Sequence, residues 1–222
     1  MDYEFQFSPV LNNLDLMFRG ALLTTFMALV TIALATLIGT ALAIAQRGQS
    51  PVLKKLIAGY VEVIRNTPFI VQLFFIVFGL PTIGVRIGLF EAALAALVIN
   101  LSGYTTEIVR AGLDATHPSQ FEAGYSLGLR RWQVYLYVVV PPALEKVYPA
   151  LCSQFVMAML GTSIVSQISV EELTGIASLI SPRSYRAFET YIVLSAFYVG
   201  LTLAFRVLFY FVGRLAFPWR RA

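Results

Sequence analysis

Apolar residues along this chain fall into long runs, and most polar residues gather between them. The first run, 18–45, is rich in Thr, Ala and Gly and long enough to cross ~30 Å of hydrocarbon with some tilt. Its Gly39, Ala41 and Ala43 would let another helix approach closely. A polar turn at 46–51 follows, then a basic amphipathic stretch with Lys54 and Lys55 leads into a second run, about 56–80. Pro68 inside that run removes a backbone donor and predicts a kink. Arg65, just before it, lies near the bilayer edge. It is either a snorkelling anchor or a side chain facing an internal path. Further runs at about 90–113, 143–166 and 188–213 complete five predicted spans. Residues 1–17 are amphipathic and expected at the interface. Residues 167–187 are polar and too short for another crossing, so they predict a short return segment or an external cap. This is an all-α membrane pattern forming a single domain, 1–222, with no soluble domain.

Polar positions within the runs are the candidates for chemistry. A dense polar stretch in mid-span is costly unless it faces protein or water. Asn100, Ser102 and Tyr104 in the third run are therefore expected to face a cavity. Glu107 and Arg110, three apart on a helix, predict a structural pair near the membrane exit. The fourth run carries Gln154, Gly161, Thr162 and Ser163.

Composition agrees with the pattern: 58% apolar, 13% charged, and a mean hydropathy of +0.76. One cysteine, Cys152, and one histidine, His117, leave no disulfide framework and no metal-ligand spacing. The acidic start, Met1-Asp2-Tyr3-Glu4, is unlike a secretory leader, and no cleaved leader is expected. The net charge of +4 is modest and lies beside the spans, which argues against nucleic-acid binding. Twelve of the 16 basic residues fall on the side holding the 46–67 turn, the 110–146 loop and the C-terminal tail; Arg19, Arg86, Arg183 and Arg186 fall on the other. With five spans, that asymmetry predicts an outside N-terminus and a cytoplasmic C-terminus.

The longest polar interval, about 114–142, is then cytoplasmic. Pro118 suits a first helical turn. Phe121, Tyr125 and Leu129 follow at i, i+4 and i+8 as an apolar stripe, and Glu122 is expected in the first turn, favourable against the helix dipole. Gly128 predicts a stop or a sharp turn. Trp132, Tyr135 and Val139 would form a second short helix closed by Pro141-Pro142. A short helix that displays an apolar stripe to the cytosol should dock into a groove on a partner.

The interval also resembles the coupling-loop motif of bacterial binding-protein-dependent ABC importer permeases. It reads Glu122-Ala123-Gly124, three residues, Gly128, nine residues, Val138, and Val140-Pro141. Gly124, Val138 and Val140 replace the pattern's Ala, Ile and Leu. The resemblance narrows to the polar amino-acid subfamily through Arg65-Asn66-Thr67-Pro68, Phe78 to Pro81, Gly103-Tyr104 with Glu107 and Arg110, and Thr162-Ser163-Ile164 before Glu172-Leu173. It implies a type I ABC importer transmembrane domain in the bacterial inner membrane. Phe121, Glu122, Ala123, Gly124, Tyr125, Gly128 and Pro141 would couple to a cytoplasmic ATPase dimer. It further implies a second permease subunit, identical or not, an extracytoplasmic amino-acid-binding protein, and surrounding membrane lipid. The chain has no Gly-x-x-x-x-Gly-Lys-Ser/Thr, so no cofactor is expected on it and ATP would be used by the partners.

Basic-substrate members of that subfamily place acidic residues seven apart in the fourth span. The matching positions here are Gln154 and Gly161, with no charge. That predicts an acidic or neutral polar amino acid rather than a basic one, unless a paired permease holds the substrate. A secondary transporter or channel would leave the spacing around Gly128 unexplained. A membrane enzyme is disfavoured because Gly-x-Ser-x-Gly and His-Glu-x-x-His are both absent.

Overall fold

The computed structural model describes residues 3–218. Met1, Asp2 and 219–222, with Arg220 and Arg221 of the basic tail, lie outside the described residues. Among the described residues the chain is helical, with no strand. After one turn at Ser8–Leu11 come α1 (Leu14–Ala45), α2 (Pro51–Arg65), α3 (Phe69–Thr82), α4 (Leu89–Asp114), α5 (Pro118–Ser126), α6 (Arg131–Ile168), α7 (Leu173–Ser184) and α8 (Ala187–Ala216). Four of these, α1, α4, α6 and α8, are each long and apolar enough to cross a membrane. The pair α2 and α3 makes a fifth crossing if its two halves count as one.

The centre of the bundle is α4, whose apolar window is 61% buried, against 17% for α8 on the outside. Small residues set the close contacts. A side chain at Gly39 of α1 would meet Thr105 of α4 at 2.7 Å, and one at Gly112 would meet the Ala143 carbonyl of α6 at the same distance. The buried positions of α1, Met17, Gly20, Thr24, Met27, Thr31, Ala35, Gly39 and Ala43, recur at three- and four-residue steps along one stripe. Its other face, with Phe18, Leu22, Phe26 and Leu37, is exposed and apolar, as a lipid-facing surface should be.

Two predicted elements change shape. The second span is not kinked but broken. The axes of α2 and α3 differ by 111°. Pro68 lacks the N–H that would bond the Ile64 carbonyl, and Gln72 Nε2 donates in its place, to Ile64 at 2.9 Å and to Thr67 at 2.8–3.1 Å, which holds the break open. Likewise Pro141-Pro142 does not close a second short helix. Helix α6 runs through both prolines for 38 residues. A wide π turn, Val134–Val139, precedes them, and a similar one, Phe75–Gly79, precedes Pro81. Each absorbs the proline's missing donor and ring clash without ending the helix.

The 167–187 segment contains α7, which packs beside α1 and α8 rather than crossing. Its first residue follows Glu172, a fully buried carboxylate that caps it. Glu172 accepts from Gly175 N–H at 2.9 Å and from the Thr24 and Tyr198 hydroxyls at 3.0 Å. Burial raises its pKa, with those hydrogen bonds opposing the shift.

Candidate functional site

At one end of the bundle, α5 projects between α4 and α6. His117 caps it by accepting from Ser119 N–H, and Pro118 occupies its first turn. Gly128 ends it in the left-handed conformation, φ +72°. Gly128 N–H bonds the Tyr125 carbonyl at 2.9 Å and Leu129 N–H bonds that of Gly124 at 3.3 Å, the paired bonds of a Schellman end. A glycine is required there because the backbone angle, and not space, is the constraint: a side chain at Gly128 would touch nothing within 4 Å.

The reversal at Gly128 redistributes the predicted stripe. Leu129 turns back onto the core, and Phe121 packs edge-on against Tyr135 at 5.6 Å, so neither is displayed with Tyr125. What α5 and the following turn expose are Glu122, Ala123, Tyr125, Leu127 and Trp132, with Leu127 77% exposed. Gly124 faces inward, where a side chain would meet Val134 at 3.0 Å. Glu122 lies in the second turn, since no acidic residue occupies the first, and the expected dipole contribution does not apply. Pro141 is half-buried within α6.

Ion pairs and backbone contacts tie this end together. Arg47 pairs with Asp114, Asp114 with Arg110 at 2.8 Å, Arg110 with Glu107 at 2.6 Å, and Glu107 with Arg65 at 3.6 Å. The predicted Glu107–Arg110 pair is therefore the middle of a string that links the turn after α1 to α4 and α2. Arg131 Nη2 donates to the Arg47 carbonyl and Lys146 Nζ to that of Ala115, fastening both flanks of α5 to the same end. Asp114 and Arg47 carried no signal in isolation; they become visible only once α1 and α4 end side by side.

The residues expected along a membrane path separate into two groups. Ser102 is buried, its hydroxyl 2.6 Å from that of Tyr60, and Asn100 Nδ2 donates to Gln72 at 2.9 Å. Tyr104 stacks under the Arg65 guanidinium at 6.0 Å. Thr162 and Ser163 donate to the Met159 and Leu160 carbonyls, and Thr162 is fully buried. Gln154 and Gly161 differ: Gln154 has no hydrogen-bond partner among the described residues, and a side chain at Gly161 would meet nothing within 4 Å. Two turns apart on α6, they lie on one side of that helix. Gln72, which holds the α2–α3 break, could have been suspected as a lone polar residue in an apolar run.

A bundle with four long apolar helices, a broken second span and a capped helix projecting from one end is the architecture of an integral-membrane protein. The sequence pattern of the binding-protein-dependent transport system inner membrane component family matches residues 35–220, and the chain belongs to that family. It is a permease subunit and not an enzyme. The glutamine transport system permease protein GlnP of Escherichia coli K12 is 33% identical over 202 residues, which cover 90% of this chain and 92% of the relative. The probable glutamine ABC transporter permease protein GlnP of Bacillus subtilis 168 is 36% identical over 184 residues, covering 83% and 84%. A crystal structure of an amino acid ABC transporter with histidines superposes with a TM-score of 0.84 at 34% identity, covering 96% of this chain and 99% of that one.

Proposed function

We propose that this chain forms the membrane path of an ATP-driven amino-acid importer of the bacterial inner membrane and carries a neutral or acidic polar substrate. The observation that supports the substrate class is the open, uncharged side of α6 at Gln154 and Gly161. A cationic side chain there would find no counter-charge, whereas an amide can hydrogen-bond the Gln154 amide. The relatives named for glutamine favour a neutral substrate. The solved neighbour, determined with histidines, leaves the family's range wider than one amino acid.

Two copies, or this chain and a second permease, would enclose the path, with a binding protein delivering substrate from outside. ATP is hydrolysed by separate ATPase subunits, whose clefts α5 would enter with Tyr125, Leu127 and Trp132. The gathering of Arg47, Lys54, Arg110, Arg131 and Lys146 around that end supports placing it in the cytoplasm, with the N-terminus outside.

Uptake of labelled glutamine, glutamate and arginine by the copurified complex in proteoliposomes tests the reading. Glutamine or glutamate should accumulate with ATP, and arginine poorly. Arginine uptake as efficient as glutamine uptake overturns the substrate class. The double variant Gln154→Glu with Gly161→Asp should gain arginine uptake, and the open space at Gly161 should accept the new side chain.

A further inference from the structure

Beside α6, on the side of α8 that faces it, lies a groove of about 600 Å³ with Cys152, Val156, Met157 and Leu160 along one wall. The opposite wall carries Thr202, Arg206, Phe209 and Tyr210, and no carboxylate lines the groove. Arg206 precedes the last residue of α8, Ala216, by ten positions, about 15 Å along the axis. It has neither an ion-pair nor a hydrogen-bond partner among the described residues. An arginine stays charged at any physiological pH. Arg206 lies on an apolar spanning helix beside an apolar groove, where a charge calls for an anion or water to meet it.

The neighbouring groups define what that anion is. Arg206, Tyr210 and Arg214 recur at i, i+4 and i+8, forming a ladder from the groove to the helix end. Arg214 Nη1 donates to the Tyr210 hydroxyl at 3.1 Å, with its guanidinium 5.4 Å from the ring. The Tyr210 O–H is thereby left to donate toward the groove. Of the other hydroxyls lining the groove, Tyr148 donates to the Phe209 carbonyl at 2.6 Å and Ser153 to that of Pro149 at 3.1 Å, and that of Thr202, one turn from Arg206, has no partner among the described residues. A guanidinium fork beside a phenol donor matches a phosphodiester, and the apolar wall matches an acyl chain. A second copy of this chain would have to bring a carboxylate to Arg206; Glu107 and Glu189 are held already, the first by Arg65 and Arg110, the second by Tyr3, the Gln6 amide and Arg186.

We propose that this groove binds one anionic phospholipid, its phosphodiester held by Arg206 and Tyr210 and an acyl chain laid along Cys152, Val156, Met157 and Leu160. The site lies in the leaflet on the coupling-helix side. It rests on the importer reading only for calling that leaflet cytoplasmic.

The test is native mass spectrometry of the assembled complex after exchange into an equimolar mixture of phosphatidylglycerol and phosphatidylcholine. Wild type should retain phosphatidylglycerol preferentially. Arg206→Gln should lower that retention about fivefold or more, the loss of a charge-assisted contact. Met157→Trp keeps every charge and fills the groove, and should lower retention comparably. Unchanged retention in Arg206→Gln overturns the proposal. So does a variant that loses permease–permease association while keeping its lipid, since Arg206 would then be a subunit contact. If Arg206→Gln does not assemble, Met157→Trp decides alone, and undiminished retention in it overturns the site. Loss of substrate transport in either variant with lipid retention intact counts against the site and leaves the importer reading untouched.

Discussion

Glu172 and Glu107 are both carboxylates inside a membrane bundle, and they are held in opposite ways. Glu107 sits at the end of the bundle from which α5 projects, with two arginines around it, its side chain 29% exposed and those of Arg65 and Arg110 about 40% exposed. Glu172 is fully buried against α1 and α8 with no cation on it; a backbone amide and two hydroxyls satisfy it instead. Exposed ion pairs contribute little each, because water and salt screen them and long side chains lose rotamer freedom. Buried acceptors contribute little when formed but cost heavily when disrupted, since their partners are then stranded away from water. The α5 end is held by contacts that are cheap to exchange, and the α7 cap by contacts that are costly to break.

The largest expected effect therefore comes from breaking the cap. Glu172→Leu strands three donors and should cost about 3 kcal/mol, at about 1 kcal/mol for each lost partner. Thermal unfolding in detergent should show it as a drop of several degrees, and a midpoint within one degree of wild type would sink the contrast. Gly128→Ala comes next. It places a side chain at φ +72° without any clash, so strain alone should cost about 1–2 kcal/mol. The cost should fall on α5 locally, read as faster hydrogen exchange over 118–130 and weaker ATPase stimulation, with membrane insertion spared. Gly128→Trp should uncouple transport more completely; full coupling in that variant would remove α5 from the mechanism.

Smaller still is Glu107→Gln, which should change stability by under about 1 kcal/mol. Raising the salt should shrink even that difference, and an effect as large as that of Glu172→Leu would erase the distinction. A pH series sharpens the comparison last. Because burial raises the Glu172 pKa, its folded-state value lies above the unfolded one. Stability owed to the bound proton is then fully present below the unfolded value, near pH 4.3, and is lost as pH rises through the folded value. Wild type should accordingly lose ground to Glu172→Gln on going from acid to neutral pH, and a flat difference would show that burial does not govern this carboxylate.

Much of this was legible in the residues. The predicted runs at 18–45, 90–113, 143–166 and 188–213 each lie within a long apolar helix, because apolar length is a local property that the bilayer reads directly. The stop at Gly128 was legible for a similar reason: a left-handed position needs glycine whatever surrounds it. The first turn of α5 was less so. Its helix begins at Pro118, which leaves Glu122 one residue too late for the dipole argument.

Other features were invisible because their partners are distant in sequence. Pro68 announces a kink, yet only Gln72 folding back onto Ile64 and Thr67 turns it into a 111° break. Pro141-Pro142 reads as a stop, yet a π turn upstream carries the helix through it. Asn100 and Ser102 read as cavity residues from one strand of evidence, the price of a polar group in mid-span. Gln72 and Tyr60, which meet that cost, sit 28 and 42 positions away.

The sequence by itself determined the placement of four long apolar helices, the glycine that ends α5, and the family to which the chain belongs. Tertiary structure decided which side of each helix faces protein. It turned Phe121, Gly124 and Leu129 inward, brought Arg47 to Asp114, and buried Glu172 between α1 and α8. Local pattern can specify how long a helix is and where it must stop. Which polar atom meets which depends on helices brought together from opposite ends of the chain, and that contact carries no local signature.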